Sequence, residues 1–167
     1  MIVLHDGALA GSLERVLERS ECVVAFGSGV VSGRAAATLL HSDWVVLTEE
    51  ATVVLDTIEA WSGAIWRIGR RAVGLLLTGS RTGAADARAT GLADAIVPSG
   101  TNPLEWVRTW MGGRSELALD SAASLIRLRG GDPLERAEFA RMFATGEPQL
   151  GLAAFLEKKK PNWTDRT

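Results

Sequence analysis

The sequence is poor in the residues that form disulfide frameworks and metal centres. Its 167 residues include one cysteine, Cys22, which excludes both an intrachain disulfide and a zinc site made of several cysteines. Its two histidines, His5 and His41, lie far apart, and neither belongs to an HExxH-type motif. We therefore expect no bound metal.

An excess of one charge and a long apolar run are also absent from the sequence. Lys and Arg number 18 and Asp and Glu number 20, which gives a net charge of −2, so nothing attracts the chain as a whole to nucleic acid or to an anionic membrane. The longest apolar stretches, such as 72–77, are much shorter than the ~20 residues that span a bilayer. The first six residues lack the basic region of a targeting signal, so the expected location is the cytoplasm.

Strand-like and helix-like patterns alternate over residues 1–98. Apolar runs of strand length lie at 2–4, 22–26, 44–47 and 95–97. Segments with helical spacing lie between them, at 12–19, 33–41, 58–79 and 84–90. This order predicts an α/β layer.

After Pro98 every pattern is helical. The segments 102–105 and 132–135 both read as capping boxes with proline at the first helical position. The last helix starts near Pro148 and is predicted to carry Lys158–Lys160 in its final turn, where cations suit the helix dipole.

Two stretches carry a family resemblance. The first is LLLTG at 75–79, followed by AADARATGLADAIVP at 84–98. The second is FATG at 143–146, followed by GLAAFLEKKKP at 151–161. Together and in this order they resemble the crotonase family, the enoyl-CoA hydratase/isomerase superfamily. Its members typically have LLLTG, a helix ending in GLV, a strand ending in VP, and a C-terminal AFLEKRKP pattern.

A third stretch resembles the same family. It comprises VVAFGSG at 23–29, then Gly33 and Asp43, and it is similar to the family's strand, glycine loop, helix and aspartate. The resemblance covers nearly the whole chain from about residue 22. Family members carry a longer N-terminal section with further strands, most of which we expect this chain to lack.

The resemblance implies a crotonase-like (ClpP/crotonase) α/β fold. We expect a single domain in two parts, a shortened β-sheet core over 1–98 and an all-helical C-terminal tail over 99–167 used for oligomerisation or as a lid. A shortened sheet exposes edges and apolar faces that another chain can cover. The expected assembly is a homo-oligomer, a trimer or paired trimers, or a hetero-oligomer with another crotonase-like protein.

In this family two backbone N–H groups hold the thioester oxygen while negative charge develops on it. The resemblance implies that one donor belongs to Gly33 or Arg34, at the start of a helix, where unpaired N–H groups favour an anion. The loop around Ala10 and Gly11 is implied as the source of the second donor. The alternative interpretation is that Gly29 and Gly33 only make a tight strand-to-helix turn.

Hydratases of this family use two glutamates to place and protonate water. Ala37 stands where the resemblance implies the first glutamate, and the second falls near Thr57, so Asp56 and Glu59 are the candidate replacements. Loss of a general acid or base typically removes about 10²–10⁴-fold of rate. We therefore do not expect the usual two-glutamate hydration mechanism.

Arg34 departs from the family pattern, which usually has glycine at this position. A cation in the first turn opposes the helix dipole unless an anion lies nearby. The open alternatives are that Arg34 binds a phosphate or carboxylate, that it blocks the pocket, or that it points into solvent.

The implied ligand is an acyl-CoA thioester, with coenzyme A as part of the substrate and no permanently bound cofactor. Gly29 is expected at the thioester end, and the CoA phosphates are expected near Lys158, Lys159 and Lys160 or near basic residues among Arg67–Arg71. The implied function is acyl-CoA processing of the enoyl-CoA hydratase/isomerase type. The alternative is a catalytically silent subunit that stabilises or regulates a crotonase-like partner.

Overall fold

The computed structural model describes residues 1–78, 81–128 and 131–163. Contacts between residues divide the chain into two compact units. One comprises Ile2–Trp106 and contains every strand of the described residues, and the other runs from Val107 onward and includes Met1. The structure confirms the predicted mixed α/β class with a helical C-terminal region.

The strands are short and lie in the first unit. In chain order they are β1 (Ile2–His5), β2 (Val23–Gly27), β3 (Val30–Val31), β4 (Trp44–Thr48), β5 (Thr52–Val54), β6 (Arg81–Gly83) and β7 (Ala95–Val97).

The helices of the first unit are α1 (Gly7–Ala10), α2 (Leu13–Glu18), α3 (Gly33–His41), α4 (Ile58–Ile68), α5 (Ala72–Thr78) and α6 (Ala84–Thr90). They are followed by α7 (Pro103–Met111), α8 (Glu116–Arg127), α9 (Asp132–Phe143) and α10 (Glu147–Leu156). The predicted cap at Asn102 is confirmed, because its Oδ1 accepts the N–H groups of Leu104 and Glu105 at 3.0 and 3.1 Å. Within the described residues, no helix combines the length and the apolar character needed to cross a bilayer.

A parallel sheet with the order β1-β2-β4-β7 organises the first unit. These are the strands that the apolar runs predict, each within one residue of its predicted bounds. All residues of β2 are buried, as is typical of a parallel strand covered on both faces. The carboxyl ends of the parallel strands therefore meet along one edge of this sheet.

A smaller sheet of β3, β5 and β6 was not predicted from the sequence. β3 pairs with β5 in parallel, and β5 pairs with β6 in antiparallel fashion. β3 has only two residues and β6 reads Arg-Thr-Gly, so neither gives an apolar run of strand length or a periodic pattern. This sheet matters because its register brings the segment after β5 beside the start of α3.

α3 is the most deeply buried helix of the first unit. Its residues 36–40 are all buried, and it packs against α1, α2, α4 and β2. The contact with α4 is close because Gly63 has no side chain to separate the two helices. The apolar pattern over 33–41 therefore reflects a helix with little free surface beyond its first turn.

A buried ion pair fixes the start of β4. The Arg19 side chain, 3% exposed, donates from Nε and Nη2 to the Asp43 carboxylate at 3.0 and 2.8 Å. Asp43 also accepts the N–H of Val23 at 2.8 Å. Burial removes the Asp43 carboxylate from water, and these hydrogen bonds compensate for the lost hydration. The aspartate of the family pattern therefore has a structural role here.

The single helix predicted over 58–79 is wrong in its middle. α4 ends at Ile68, a 3₁₀ turn covers Gly69–Arg71, and α5 begins at Ala72. Gly69 has φ +56° and ψ −132°, a conformation that interrupts the helical hydrogen bonds and that glycine adopts readily. The predicted end at Gly79 lies outside the described residues.

The prediction that the lysines occupy the final turn of the last helix is also wrong. α10 ends at Leu156, and Lys158 has φ +56°. The N–H groups of Lys158 and Lys159 return to the carbonyls of Phe155 and Ala154 at 3.1 and 2.9 Å, the pattern that closes a helix C-terminus. The lysines therefore follow the helix.

We predict that Gly63→Ala destabilises the protein although alanine favours helix formation. A Cβ at position 63 lies 2.7 Å from Leu40 Cβ and 3.2 Å from the Leu40 carbonyl carbon, so α3 and α4 must separate. Overpacking costs about 1–3 kcal/mol, which exceeds the gain of up to ~1 kcal/mol in helix propensity. Urea unfolding measures the difference.

Gly74→Ala is the matched control. It lies within α5, and no atom of the described residues lies within 4 Å of a Cβ placed there. We expect its unfolding free energy to equal or exceed that of the wild type. Equal stability of the two variants would contradict the close α3–α4 contact.

Candidate functional site

The predicted glycine loop leads into α3 as expected. Gly29 and Gly33 both have φ +56°, a conformation that side-chain-bearing residues adopt only with strain. The Gly29 carbonyl accepts the N–H of Thr52 at 2.8 Å, which ties the loop to β5. The loop is therefore held by backbone contacts, and it delivers the chain to the first residue of α3.

The N–H of Gly33 donates a hydrogen bond to the carboxylate of Asp56, with N and Oδ1 2.7 Å apart. Asp56 follows β5 and is exposed. The pairing of Val31 with Val53 in the small sheet sets the register that brings Asp56 opposite Gly33. A carboxylate at the start of a helix is favoured by the unpaired N–H groups and by the helix dipole. The position implied for a thioester oxygen is thus occupied by the chain's own anion.

Arg34 turns toward α1 and α2. Its Nη2 contacts both carboxylate oxygens of Glu14, at 2.5 and 2.7 Å, and its Nε donates to the carbonyl of Ala10 at 3.3 Å. The hydrogen bonds from Arg34 lower the pKa of the Glu14 carboxyl and, reciprocally, raise the pKa of Arg34. The charge of Glu59 raises the pKa of Arg34 further.

The two predicted sources of oxyanion donors are neighbours in the structure. α1 ends at Ala10, whose carbonyl contacts the side chain of Arg34, and α1 packs against α3. The N–H of Gly11 bonds to the carbonyl of Leu9. Residues 10–11 and 33–34 thus lie on adjoining segments.

The position implied for the first catalytic glutamate lies in the core. Ala37 is fully buried, and it belongs to the apolar cluster that also contains Ala36 and Leu40. The side chain at this position therefore contacts packed apolar groups.

Glu59 lies in the exposed first turn of α4. Thr57 caps this helix, because its Oγ1 accepts the N–H of Ala60 at 3.1 Å. The Glu59 carbonyl lies 3.2 Å from Nε2 of His41, and burial lowers the pKa of that histidine. Of the two predicted carboxylates, Asp56 is the one that contacts the glycine loop.

Arg67 is not available to bind a phosphate, which corrects the prediction for that residue. Its side chain is 6% exposed and pairs with the Asp94 carboxylate. Nη1 also donates to the carbonyl of Ser42 at 2.9 Å. Arg70 and Arg71 are exposed in the 3₁₀ turn, and Lys158–Lys160 belong to the helical unit.

A polar pocket of about 290 Å³ at the carboxyl ends of β1, β2 and β4 was missed from the sequence. Asp6 contacts Nδ1 of His5 at 3.1 Å and accepts the Ser28 hydroxyl at 3.2 Å. Glu50 accepts the hydroxyls of Ser99 and Thr48, which lower its pKa. The available signal is the position of polar residues just after parallel strands, where α/β proteins commonly bind ligands.

Comparison with known proteins agrees with this architecture. No protein-family model matches the chain. It is 28% identical to the mevalonyl-coenzyme A hydratase of Beauveria bassiana (strain ARSEF 2860) and 29% identical to the mitochondrial enoyl-CoA hydratase of Pongo abelii, over 86% of this chain in both cases. The chain spans only 58% and 56% of the length of those relatives.

Solved structures share the fold. An enoyl-CoA hydratase/isomerase from Marinobacter aquaeolei matches 95% of this chain and 66% of its own, with a TM-score of 0.71 and 21% identity. An enoyl-CoA hydratase from Bacillus anthracis matches 93% of this chain and 67% of its own, with a TM-score of 0.74 and 21% identity. The chain therefore has the fold of these structures, the crotonase-like fold that the sequence predicts.

The chain therefore has the glycine loop and α3 of the predicted pattern, but it has a buried alanine where the resemblance implies a glutamate. The polar groups around the loop are Asp56, Arg34 and Glu14. The two carboxylates can accept or release a proton, and Arg34 and Glu14 form an ion pair. They do not include the pair of glutamates that the usual hydration mechanism requires.

We predict that Ala37→Glu strongly destabilises the fold and does not hydrate crotonyl-CoA. An uncompensated carboxylate at this fully buried position is expected to lower the free energy of unfolding by at least ~3 kcal/mol. The new side chain therefore disrupts the core and does not serve as an acid. Chemical denaturation and a hydration assay measure both effects.

Ala35→Glu is the comparison, because Ala35 is only partly buried on the same helix. We expect a smaller loss of unfolding free energy for it. Wild-type stability of Ala37→Glu, or clear hydration of crotonyl-CoA by it, would contradict the burial of this position.

Proposed function

We propose that this protein binds an acyl-CoA thioester at the start of α3 and transfers a proton at the carbon beside the thioester carbonyl. The observation that carries the proposal is the 2.7 Å hydrogen bond from the Gly33 N–H to the Asp56 carboxylate. It places an anion-binding donor and a proton acceptor side by side. The relatives named as CoA hydratases support a thioester as the ligand.

In the proposed complex the thioester oxygen replaces Asp56 on the Gly33 N–H. The Ala10–Gly11 segment adjoins the loop through the contact of Arg34 with the Ala10 carbonyl. Its Gly11 N–H, which bonds to the Leu9 carbonyl in the free protein, is the proposed second donor once it exchanges that carbonyl for the thioester oxygen. A backbone N–H at a helix start stabilises negative charge as it develops on the oxygen. Gly29 is proposed to lie at the thioester end of the ligand.

Asp56 is the proposed base. Once displaced from Gly33, its carboxylate stays near the bound thioester and removes a proton from the adjacent carbon. The electron pair of the C–H bond then forms the enolate, whose negative oxygen is held by the N–H groups. Return of the proton to the same or another carbon completes an exchange or an isomerisation. Addition of water is not proposed, since Ala37 supplies no acid.

We predict that Asp56→Asn loses proton transfer while it keeps ligand binding. Incubation of butyryl-CoA with the wild type in D₂O should introduce deuterium beside the carbonyl, as measured by mass spectrometry. The variant should exchange ~10²–10⁴-fold more slowly, the usual effect of removing a general base. Its affinity for butyryl-CoA should equal or exceed that of the wild type, because a neutral amide competes less well for the Gly33 N–H.

Glu49→Gln serves as the control, because Glu49 is an exposed carboxylate at the end of β4. It should exchange deuterium at the wild-type rate. Unchanged exchange by Asp56→Asn would remove Asp56 from the mechanism.

The second candidate function is a catalytically silent subunit that stabilises or regulates a crotonase-like partner. Two observations favour it, the burial of Ala37 and the occupation of the Gly33 N–H by Asp56. Absence of deuterium exchange by the isolated chain, with exchange restored or raised in a partner enzyme, would support this function over the first.

We predict that the protein self-associates through its helical region, as a trimer or paired trimers. Phe139, Phe155 and Leu156 are 66%, 78% and 71% exposed, and exposed apolar surface of this kind marks an interface. Sedimentation at micromolar concentration should show an oligomer that Phe155→Asp weakens. Ile58→Asp, which changes an exposed apolar residue of the first unit, is the control and should not weaken it. A monodisperse wild-type monomer would contradict this prediction.

A further inference from the structure

The side chain of Arg34 connects the two segments from which the oxyanion donors are proposed to come. Arg34 follows Gly33 in the first turn of α3. Its guanidinium reaches the Ala10 carbonyl through Nε and both oxygens of Glu14 through Nη2. One side chain therefore contacts the end of α1 and the first turn of α2.

We propose that Arg34, together with Glu14, is a positioning pair that holds the Ala10–Gly11 segment at a fixed distance from the Gly33 N–H. This inference rests on the proposed function, because the fixed distance matters for a thioester oxygen that both segments contact. Arg34 itself does not bind the substrate. It acts through the backbone that it holds.

The segment needs such support because its own structure is weak. α1 is only four residues long, and a single helical turn is unstable without tertiary contacts. Leu9 anchors α1 in the core, but Ala10 and Gly11 after it are both exposed, so burial does not hold these two residues directly. Donors that stabilise a developing charge must be in place before the reaction, and small displacements weaken them steeply.

The geometry indicates positioning rather than general stabilisation. The side chains of Arg34 and Glu14 are 54% and 67% exposed, and an ion pair at this exposure contributes little to the free energy of folding. Its contacts are nevertheless directional, since Nε and Nη2 point to different segments. The pair therefore restricts the separation of two loops more than it raises stability.

These contacts decide among the roles left open for Arg34. Its Nε and Nη2 are engaged with the chain itself, and the carboxylates of Glu14 and Glu59 both raise its pKa. An acidic neighbourhood of this kind does not favour a second anion from the ligand. We thus assign Arg34 the role of holding the backbone around the site in place.

The test compares two ligands that differ only in the carbonyl. Acetyl-CoA has the thioester oxygen, and its thioether analogue S-ethyl-CoA lacks it, so their affinity ratio reports the oxyanion donors alone. Calorimetric titration of the wild type should show a preference for acetyl-CoA. Arg34→Ala and Glu14→Gln should each lower this ratio about fivefold, the effect of losing one exposed ion pair, with little change in affinity for S-ethyl-CoA.

Two further variants separate positioning from a change in charge. Arg15→Ala removes a neighbouring exposed arginine of α2 and should leave the ratio unchanged. The double variant Glu14→Arg with Arg34→Glu, which exchanges the two residues, should recover part of the lost preference for acetyl-CoA. Urea unfolding verifies that each variant is folded, and amide hydrogen exchange at Ala10 and Gly11 should rise in Arg34→Ala.

The outcomes distinguish this inference from the proposed function. If the wild type binds both ligands alike, the proposed thioester site is wrong and the positioning role falls with it. If the wild type prefers acetyl-CoA and folded Arg34→Ala keeps the full preference, the thioester site stands and the positioning pair is overturned.

Discussion

Burial of α3 is the constraint on which the site depends. Ala36 and Ala37 are fully buried, and Gly63 lets α4 approach Leu40 closely. A helix packed in this way accepts small apolar residues and excludes an unpaired carboxylate, since a buried charge without a partner is costly. The part of α3 that adjoins the glycine loop is thus its first turn, at Gly33 and Arg34.

The charges around that turn are arranged by elements that carry no catalytic signature of their own. The β3–β5 register brings Asp56 to the Gly33 N–H, and the α1–α2 segment brings Glu14 to Arg34. The Gly33 N–H and the Arg34 cation therefore each contact a carboxylate, and the two carboxylates belong to different segments. This explains how the cation of Arg34 is tolerated where the helix dipole opposes it.

Sequence patterns predicted the long elements well, because α3 and the strands of the parallel sheet depend on apolar periodicity that is local. They failed where tertiary contacts decide. The two-residue strand β3 has no period, and Arg67 resembles a surface cation until its ion pair with Asp94 is seen. For the site, Gly33 and Asp56 could be named from the family resemblance, but their hydrogen bond depends on strand register.

The central claim is that the Gly33 N–H binds the carbonyl oxygen of a thioester. Infrared difference spectroscopy of acetyl-CoA labelled with ¹³C at the carbonyl tests this most directly, because hydrogen-bond donors polarise the C=O bond and lower its stretching frequency. If the Gly33 N–H binds this oxygen, the carbonyl band shifts below its position in water when the ligand binds. The shift should be smaller with Gly33→Pro, which lacks the N–H and cannot adopt φ +56°. A bound ligand whose carbonyl band stays at its position in water would contradict the claim.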